Sequence, residues 1–212
     1  MDHLRLKFNS TVLIFGSTNS GKSTIAKQII ENEAKVLDKR PDNIICIHAK
    51  NNGAQFESLK SDPRVKLVEG VRNADWAEIE DPAFNTILLL DDQIQDISLD
   101  KLNYLAQISA HHCSLLLIVL LHEVFNSKLR TLRLNSAYYI ITKMVQDRTT
   151  IRKLAQQLYP RNVNFLSDAY ADATATPWGY LLLDLHNMTP DSLRVRTHCL
   201  GEAGGATIYE AL

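Results

Sequence analysis

Cysteine is scarce in this sequence, neither sign of charge predominates, and no apolar run is long; each shortage removes a class of protein. The three cysteines, Cys46, Cys113 and Cys199, lie far apart, each in or beside an apolar run. They form neither an even disulfide framework nor a pair at metal-ligand spacing, which predicts a reduced, intracellular protein. The longest apolar run, Leu115 to Leu121, falls far short of the roughly 18 to 20 residues that span a bilayer. The opening MDHLRLKF has no apolar stretch after its basic residues, so neither a secretion signal nor a membrane-spanning segment is expected. Lysine and arginine number 23 against 24 acidic residues, a formal net charge of -1. No global positive field therefore draws the molecule to nucleic acid or to an anionic membrane, and any such contact needs a local patch. Internal repeats, linkers and low-complexity tracts are also missing.

What is present suits a folded α/β chain. With 212 residues, 45% hydrophobic and 22% charged, the composition supplies a sizeable core, and the length predicts one domain over 1–212. Short apolar runs alternate with polar, helix-like stretches, the pattern of a mostly parallel sheet with helices on both faces. Strands are expected at Thr11 to Phe15, Asn43 to His48, Val65 to Val68, Thr86 to Leu90, Leu115 to Leu121 and Tyr138 to Thr142. The continuously apolar TILLL and LLLIVLL imply burial on both faces. Helices are expected from Ser23 to about Lys35, Leu99 to Ala110, Thr149 to Tyr159 and Phe165 to Ala173, and a strand pair within 178–199 completes or flanks the sheet. Tyr159-Pro160 and Thr176-Pro177-Trp178-Gly179 read as a helix stop and a turn before a buried strand, with Asp184 of that strand pointing outward or capping.

Between the first strand and the first helix the chain reads GSTNSGKST, comprising Gly16, Ser17, Thr18, Asn19, Ser20, Gly21, Lys22, Ser23 and Thr24. This is the full phosphate-loop pattern in its proper context. Phosphate binding needs backbone N–H groups turned inward around an anion, which Gly16 and Gly21 permit. Lys22 is then expected to reach the β and γ phosphates of ATP, and the Ser23 hydroxyl to ligate Mg²⁺. TILLL ends in Asp91-Asp92, at the sheet edge where ligands bind in open α/β folds. Asp91 is assigned to the Mg²⁺ shell through water and Asp92 to polarising the attacking water. A GTPase reading fails on these residues: Asp92-Gln93-Ile94 brings no glycine, and Thr142-Lys143-Met144 leads to Val145.

LLLIVLL follows the acidic pair after one helix and most simply inserts as an additional strand between the phosphate-loop strand and the acidic strand. His122 at its end would sense the γ phosphate or orient water, or be a loop histidine bonded to backbone. His111-His112 at the other end reads as a polar cap rather than a ligand set. Asn126 to Arg133 (NSKLRTLR) holds three cations. Such a turn is usually only solvated; in a ring ATPase, Arg130 or Arg133 would instead complete a neighbour's site.

Taken together, GSTNSGKST, ILLLDDQ, SAHHCSLLLIVLLHEVF, LRTLRLNSAYYIITK, LAQQLYP, DAYADAT, PWGYLLLDL and LRVRT resemble the genome-packaging ATPases of double-stranded DNA viruses and polinton-type transposons, in the FtsK–HerA superfamily. The resemblance runs from about Thr11 to Cys199. It implies a P-loop NTPase fold and a DNA-stimulated motor that hydrolyses ATP with Mg²⁺ while threading double-stranded DNA into a preformed capsid. It further implies a pentameric or hexameric ring at a capsid or portal vertex, inside a host cell, in the nucleus or at a viral assembly site. The family's RTxxLN block places its trans-acting arginine on Arg130, with Asn135 in the same block, and gives Arg133 no such support. Where the family usually carries a glutamine this chain has His122, so activity is expected to depend on pH near neutrality. Lys128, Arg130, Arg152 and Lys153 are the nearest basic clusters for a DNA channel; several copies around one pore would give a strong local field without a basic protein. Two other readings stay open, a nucleotide-gated assembly protein without turnover and a small-molecule or nucleotide kinase.

Overall fold

The computed structural model describes residues 4–50, 52–108 and 113–211, so the His111-His112 pair lies outside the described residues. Nine strands form one sheet in the order β3-β2-β4-β5-β1-β6-β7-β8-β9. They are β1 (Ser10–Phe15), β2 (Asn43–His48), β3 (Val65–Glu69), β4 (Thr86–Asp91), β5 (Leu115–Leu121), β6 (Tyr138–Thr142), β7 (Tyr180–Asp184), β8 (Val195–Thr197) and β9 (Thr207–Tyr209). The first six are parallel, and the last three continue the sheet antiparallel. As expected, β5 inserts between β1 and β4.

Strand side chains alternate between two apolar layers, which explains why the central strands contain no polar face. Leu13, Phe15, Leu88, Leu90, Leu117 and Val119 enter one layer, while Val12, Ile14, Ile87, Leu89, Leu116 and Ile118 enter the other. Helices α1 (Lys22–Glu31) and α2 (Glu33–Val36) cover the second face; α3 (Trp76–Ile79), α4 (Leu99–Ile108), α5 (Arg130–Leu134), α6 (Arg148–Leu158) and α7 (Val163–Ala173) cover the first. Among the described residues no helix is long and apolar enough to cross a membrane.

Three sequence expectations change. The helix expected from Ser23 to about Lys35 is two helices divided at Asn32, whose side-chain amide donates to the Gln28 carbonyl at 3.0 Å. Gly201 packs against that side chain so closely that a Cβ there would lie 2.5 Å from it. The terminal strand pair gains a third member, β9. Asp184 does not point outward: it is 1% exposed and pairs at 2.8 Å with Arg196, itself wholly buried. Thr189 Oγ1 and the His186 N–H also donate to Asp184 Oδ1, so the buried carboxylate has the partners that burial of a charge demands.

Candidate functional site

Because β1 to β6 are parallel, their carboxyl ends share one edge, and that edge gathers the residues that carry chemistry. The loop after β1 is shaped by two positive φ angles, 61° at Asn19 and 95° at Gly21, the second at the N-cap of α1. Gly16 has no space for a side chain, since a Cβ would stand 1.8 Å from Thr142 Oγ1. That threonine ends β6, donates to the Phe15 carbonyl at 3.0 Å and lies 2.7 Å from Ser20 Oγ. It therefore ties the strand end before the phosphate loop, and Ser20 within it, to the neighbouring strand. Nothing local in YYIIT signals this role; the clue is a polar residue ending a strand beside the loop.

Lys22 is buried, and its ammonium donates to the carbonyls of Gly16 at 2.8 Å and Ser17 at 2.9 Å. Its Nζ also lies 3.5 Å from His122 Nδ1. Burial pushes the lysine pKa down, against the opposing pull of Asp92 and Asp91. Across a cavity of about 490 Å³ lined by Lys22, Ser23, Thr24, Asp91, Asp92 and His122, Asp91 is 4% exposed. Burial, reinforced by the neighbouring Asp92 charge, pushes its pKa up to about 6, while Lys22, His48 and His122 oppose the rise. Asp92 is exposed, sits at φ 53°, and meets His122 Nε2 at 3.1 Å. The sequence-predicted Lys22, Ser23, Asp91, Asp92 and His122 are thus brought together.

Two further residues reach the acids from the 3-10 helix Gly53–Ser61 and the residue preceding it. Gln55 Nε2 donates to Asp91 Oδ2 at 2.5 Å, and Asn52 Nδ2 to Asp92 Oδ2 at 3.3 Å. Buried Gln93 accepts from the Val71 N–H at 3.1 Å, pinning the chain just beyond the acidic pair. Asn52 and Gln55 sit in a stretch without apolar periodicity, so no local pattern points to them.

The cations separate. Arg130 opens α5, is exposed, does not line the cavity, and its guanidinium has no hydrogen bond or ion pair among the described residues. Arg133 is held locally, 3.4 Å from Gln157 Oε1 and stacked 5.0 Å from the Phe125 ring centre. Lys128, Arg152 and Lys153 are exposed. Of these only Lys153 approaches the phosphate loop, lining a cavity of about 440 Å³ with Ser17, Thr18 and His122.

Oxygen donors dominate the site: the Ser23 hydroxyl and the Asp91 and Asp92 carboxylates. Such a set suits a hard cation shared with phosphate oxygens, and no group of three or more His, Cys, Asp or Glu that could hold a metal alone exists among the described residues. Without cation or nucleotide, the buried Asp91 carboxylate should cost stability. Its folded pKa lies above the ordinary carboxylate value, so the native state binds more protons than the unfolded chain between about pH 4 and 6. This group's contribution therefore falls as pH rises through that window and stays low above it. Asp91→Asn keeps an acceptor for Gln55 and removes the charge. In chelator at pH 7.5 it should raise unfolding free energy by on the order of 2 kcal/mol, a gain that shrinks toward pH 4. Urea unfolding at both pH values measures it, and equal curves for the two proteins would contradict the burial penalty.

The backbone is similar to two solved structures, a genome packaging NTPase and a secretion ATPase. The genome packaging NTPase B204 from Sulfolobus turreted icosahedral virus 2, determined in complex with ATP-gammaS, aligns at TM-score 0.56 and 14% identity over 96% of this chain and 98% of that one. The cytoplasmic domain of the Thermomonospora curvata type VII secretion ATPase EccC aligns at TM-score 0.52 and 16% identity over 82% of this chain, which spans only 24% of that chain's length. No protein-family model and no curated protein matches the sequence. At these identities the likeness is one of fold, and the fold is that of a P-loop NTPase.

Proposed function

We propose that this chain is an ATP-hydrolysing motor subunit of the FtsK–HerA type that moves double-stranded DNA into a preformed viral capsid. One observation carries the hydrolytic part: the buried Lys22 ammonium, the buried Asp91 and the exposed Asp92 face one cavity at the carboxyl edge of a sheet in which β5 separates β1 from β4. Lys22 exchanges the Gly16 and Ser17 carbonyls for β and γ phosphate oxygens, and inward-facing backbone N–H groups with the N-terminus of α1 hold the rest of the charge. Ser23 and Asp91 would hold Mg²⁺, which supplies charge neutralisation between the phosphates when bound. Asp92, oriented by Asn52 and His122, accepts the proton of the attacking water. Two carboxylates here favour water as acceptor over a small-molecule hydroxyl.

The motor part is supported by the position of Arg130, exposed, without a side-chain partner among the described residues and away from its own cavity, as an arginine that acts on a neighbouring subunit's nucleotide would be. Exposed Lys128, Arg152 and Lys153 supply local charge for DNA that the balanced composition does not. This reading carries with it a pentameric or hexameric ring docked on a capsid or portal vertex, and the likeness in fold to a packaging NTPase supports it.

Steady-state ATP hydrolysis, measured with and without long double-stranded DNA over a range of protein concentrations, tests it. Turnover should rise with DNA and more than linearly with protein. Hydrolysis indifferent to both would leave an ATPase with another partner; no hydrolysis under any condition would favour a nucleotide-gated assembly protein.

A further inference from the structure

Trp178 occupies a position that neither packing nor turn chemistry explains. Thr176-Pro177-Trp178-Gly179 is a tight turn closed by the Gly179 N–H on the Thr176 carbonyl at 3.2 Å. Its third residue has φ 65°, the backbone state that turns of this kind reserve for glycine or asparagine. A tryptophan there is disfavoured by its Cβ and gains little burial in return, being 64% exposed. The other tryptophan, Trp76, is by contrast half-buried, with the Lys101 ammonium 4.6 Å from its ring centre.

The turn does not swing freely. A Cβ on Gly179 would meet the Ala173 carbonyl oxygen at 2.3 Å, so the turn is seated on the end of α7. From that seat the indole reaches the phosphate loop: its Cε3 lies 3.1 Å from where a Gly21 Cβ would be. Trp178 also lines the same cavity as Lys22, Thr24 and Asp91, and among the described residues it is the sole Phe, Tyr or Trp in that lining. A volume of about 490 Å³ lies in the range of small-molecule pockets, about 300 to 1,000 Å³. A strained residue at a ligand cavity is a pointer to function.

We infer that the exposed Trp178 indole is the platform on which the base of the bound nucleoside triphosphate stacks, with its phosphates on Lys22; this rests on reading the cavity as a nucleotide site. A flat π-face accepts any base and favours the larger purines, so the platform adds affinity without separating adenine from guanine.

Trp178→Gly tests this with little risk to folding, because glycine suits φ 65°, and Trp178→Phe restores a ring. Binding of ATP and of inorganic tripolyphosphate, each with Mg²⁺, is measured by calorimetry on the full chain. Base stacking is worth roughly 5- to 150-fold in affinity. Trp178→Gly should therefore lose about 10-fold or more for ATP and almost nothing for tripolyphosphate, and Trp178→Phe should recover most of the loss. In a Trp76→Phe background, ATP should change the remaining indole fluorescence and tripolyphosphate should not. Unchanged ATP affinity, or an equal loss for both ligands, overturns the platform. Wild type binding both ligands equally while hydrolysing ATP would do the same and leave the nucleotide reading intact; wild type binding neither would remove both.

Discussion

Alanine in place of Lys22 should leave a folded protein whose ATP turnover is lower by at least about 10² to 10³-fold, the loss expected when one preorganised donor to a developing charge is removed. The ammonium is already committed to the site without nucleotide: it is 8% exposed and bridges the Gly16 and Ser17 carbonyls of the loop it will serve. Burial works against its charge and the two aspartates work for it, so its removal takes away the only cation lining the cavity among the described residues. Asp91 and Asp92 would then face triphosphate oxygens with no protein charge between them, and repulsion would weaken binding as well as catalysis. Folding should survive, because the side chain caps the loop rather than filling either apolar layer. Phosphate release, ATP binding and a thermal melt on the same preparation separate these effects. Turnover within about 3-fold of wild type would remove the lysine from the mechanism, since even a neutral donor contributes more than that.

The parts of this fold that could be read from the sequence are those whose local pattern and tertiary environment agree. TILLL and LLLIVLL announce burial on both faces and become β4 and β5 between helical layers. GSTNSGKST is equally legible, because its glycines, its lysine and the helix it opens are contiguous in the chain. Reading failed where a distant segment decides the outcome. The apolar face of Ile25, Ile29 and Ile30 gives no sign that the helix stops at Asn32; the stop is stabilised by packing against Gly201. The three-residue β9, with Thr207 and Ile208 exposed, acquires strand structure by pairing with β8. By its position at a strand end, Asp184 reads as a residue that points outward or caps. It is buried because β7 lies inside the sheet and Arg196 on β8 supplies its counter-charge.

The site divides along the same line. Lys22, Asp91 and Asp92 follow from motif and strand end, whereas Thr142, Gln55 and Asn52 reach it from β6 and from the segment after β2 by tertiary apposition. Trp178 left one readable trace, a bulky ring at the third position of a Pro-containing turn where glycine is preferred. Its meaning depends on the turn facing Gly21, which no spacing rule contains.

Arg130→Ala should reduce turnover by about 10³ to 10⁵-fold, the range measured for arginines that complete a phosphoryl-transfer site in related chemistry, while leaving ATP binding by the isolated subunit unchanged. The second half follows from placement: Arg130 does not line its own cavity, so a nucleotide bound there loses no contact. A residue that matters for hydrolysis and is indifferent to binding must act on another copy's nucleotide or on assembly, and mixing distinguishes the two. In a head-to-tail ring each interface joins the cavity face of one subunit to the arginine face of the next. Arg130→Ala subunits keep an intact Asp92, and Asp92→Asn subunits keep an intact Arg130. Random mixing at equal amounts should therefore create whole sites at on the order of a quarter of the interfaces. Each parent alone is inactive, so activity in the mixture can come only from complementation. If Arg130→Ala still assembles, by sedimentation, and the mixture stays as inactive as its parents, Arg130 does not act in trans and the basic turn is a solvated one. Recovery toward a quarter of wild-type turnover would place Arg130 on the neighbour's γ phosphate and make the ring the catalytic unit, because no single chain then holds a whole site.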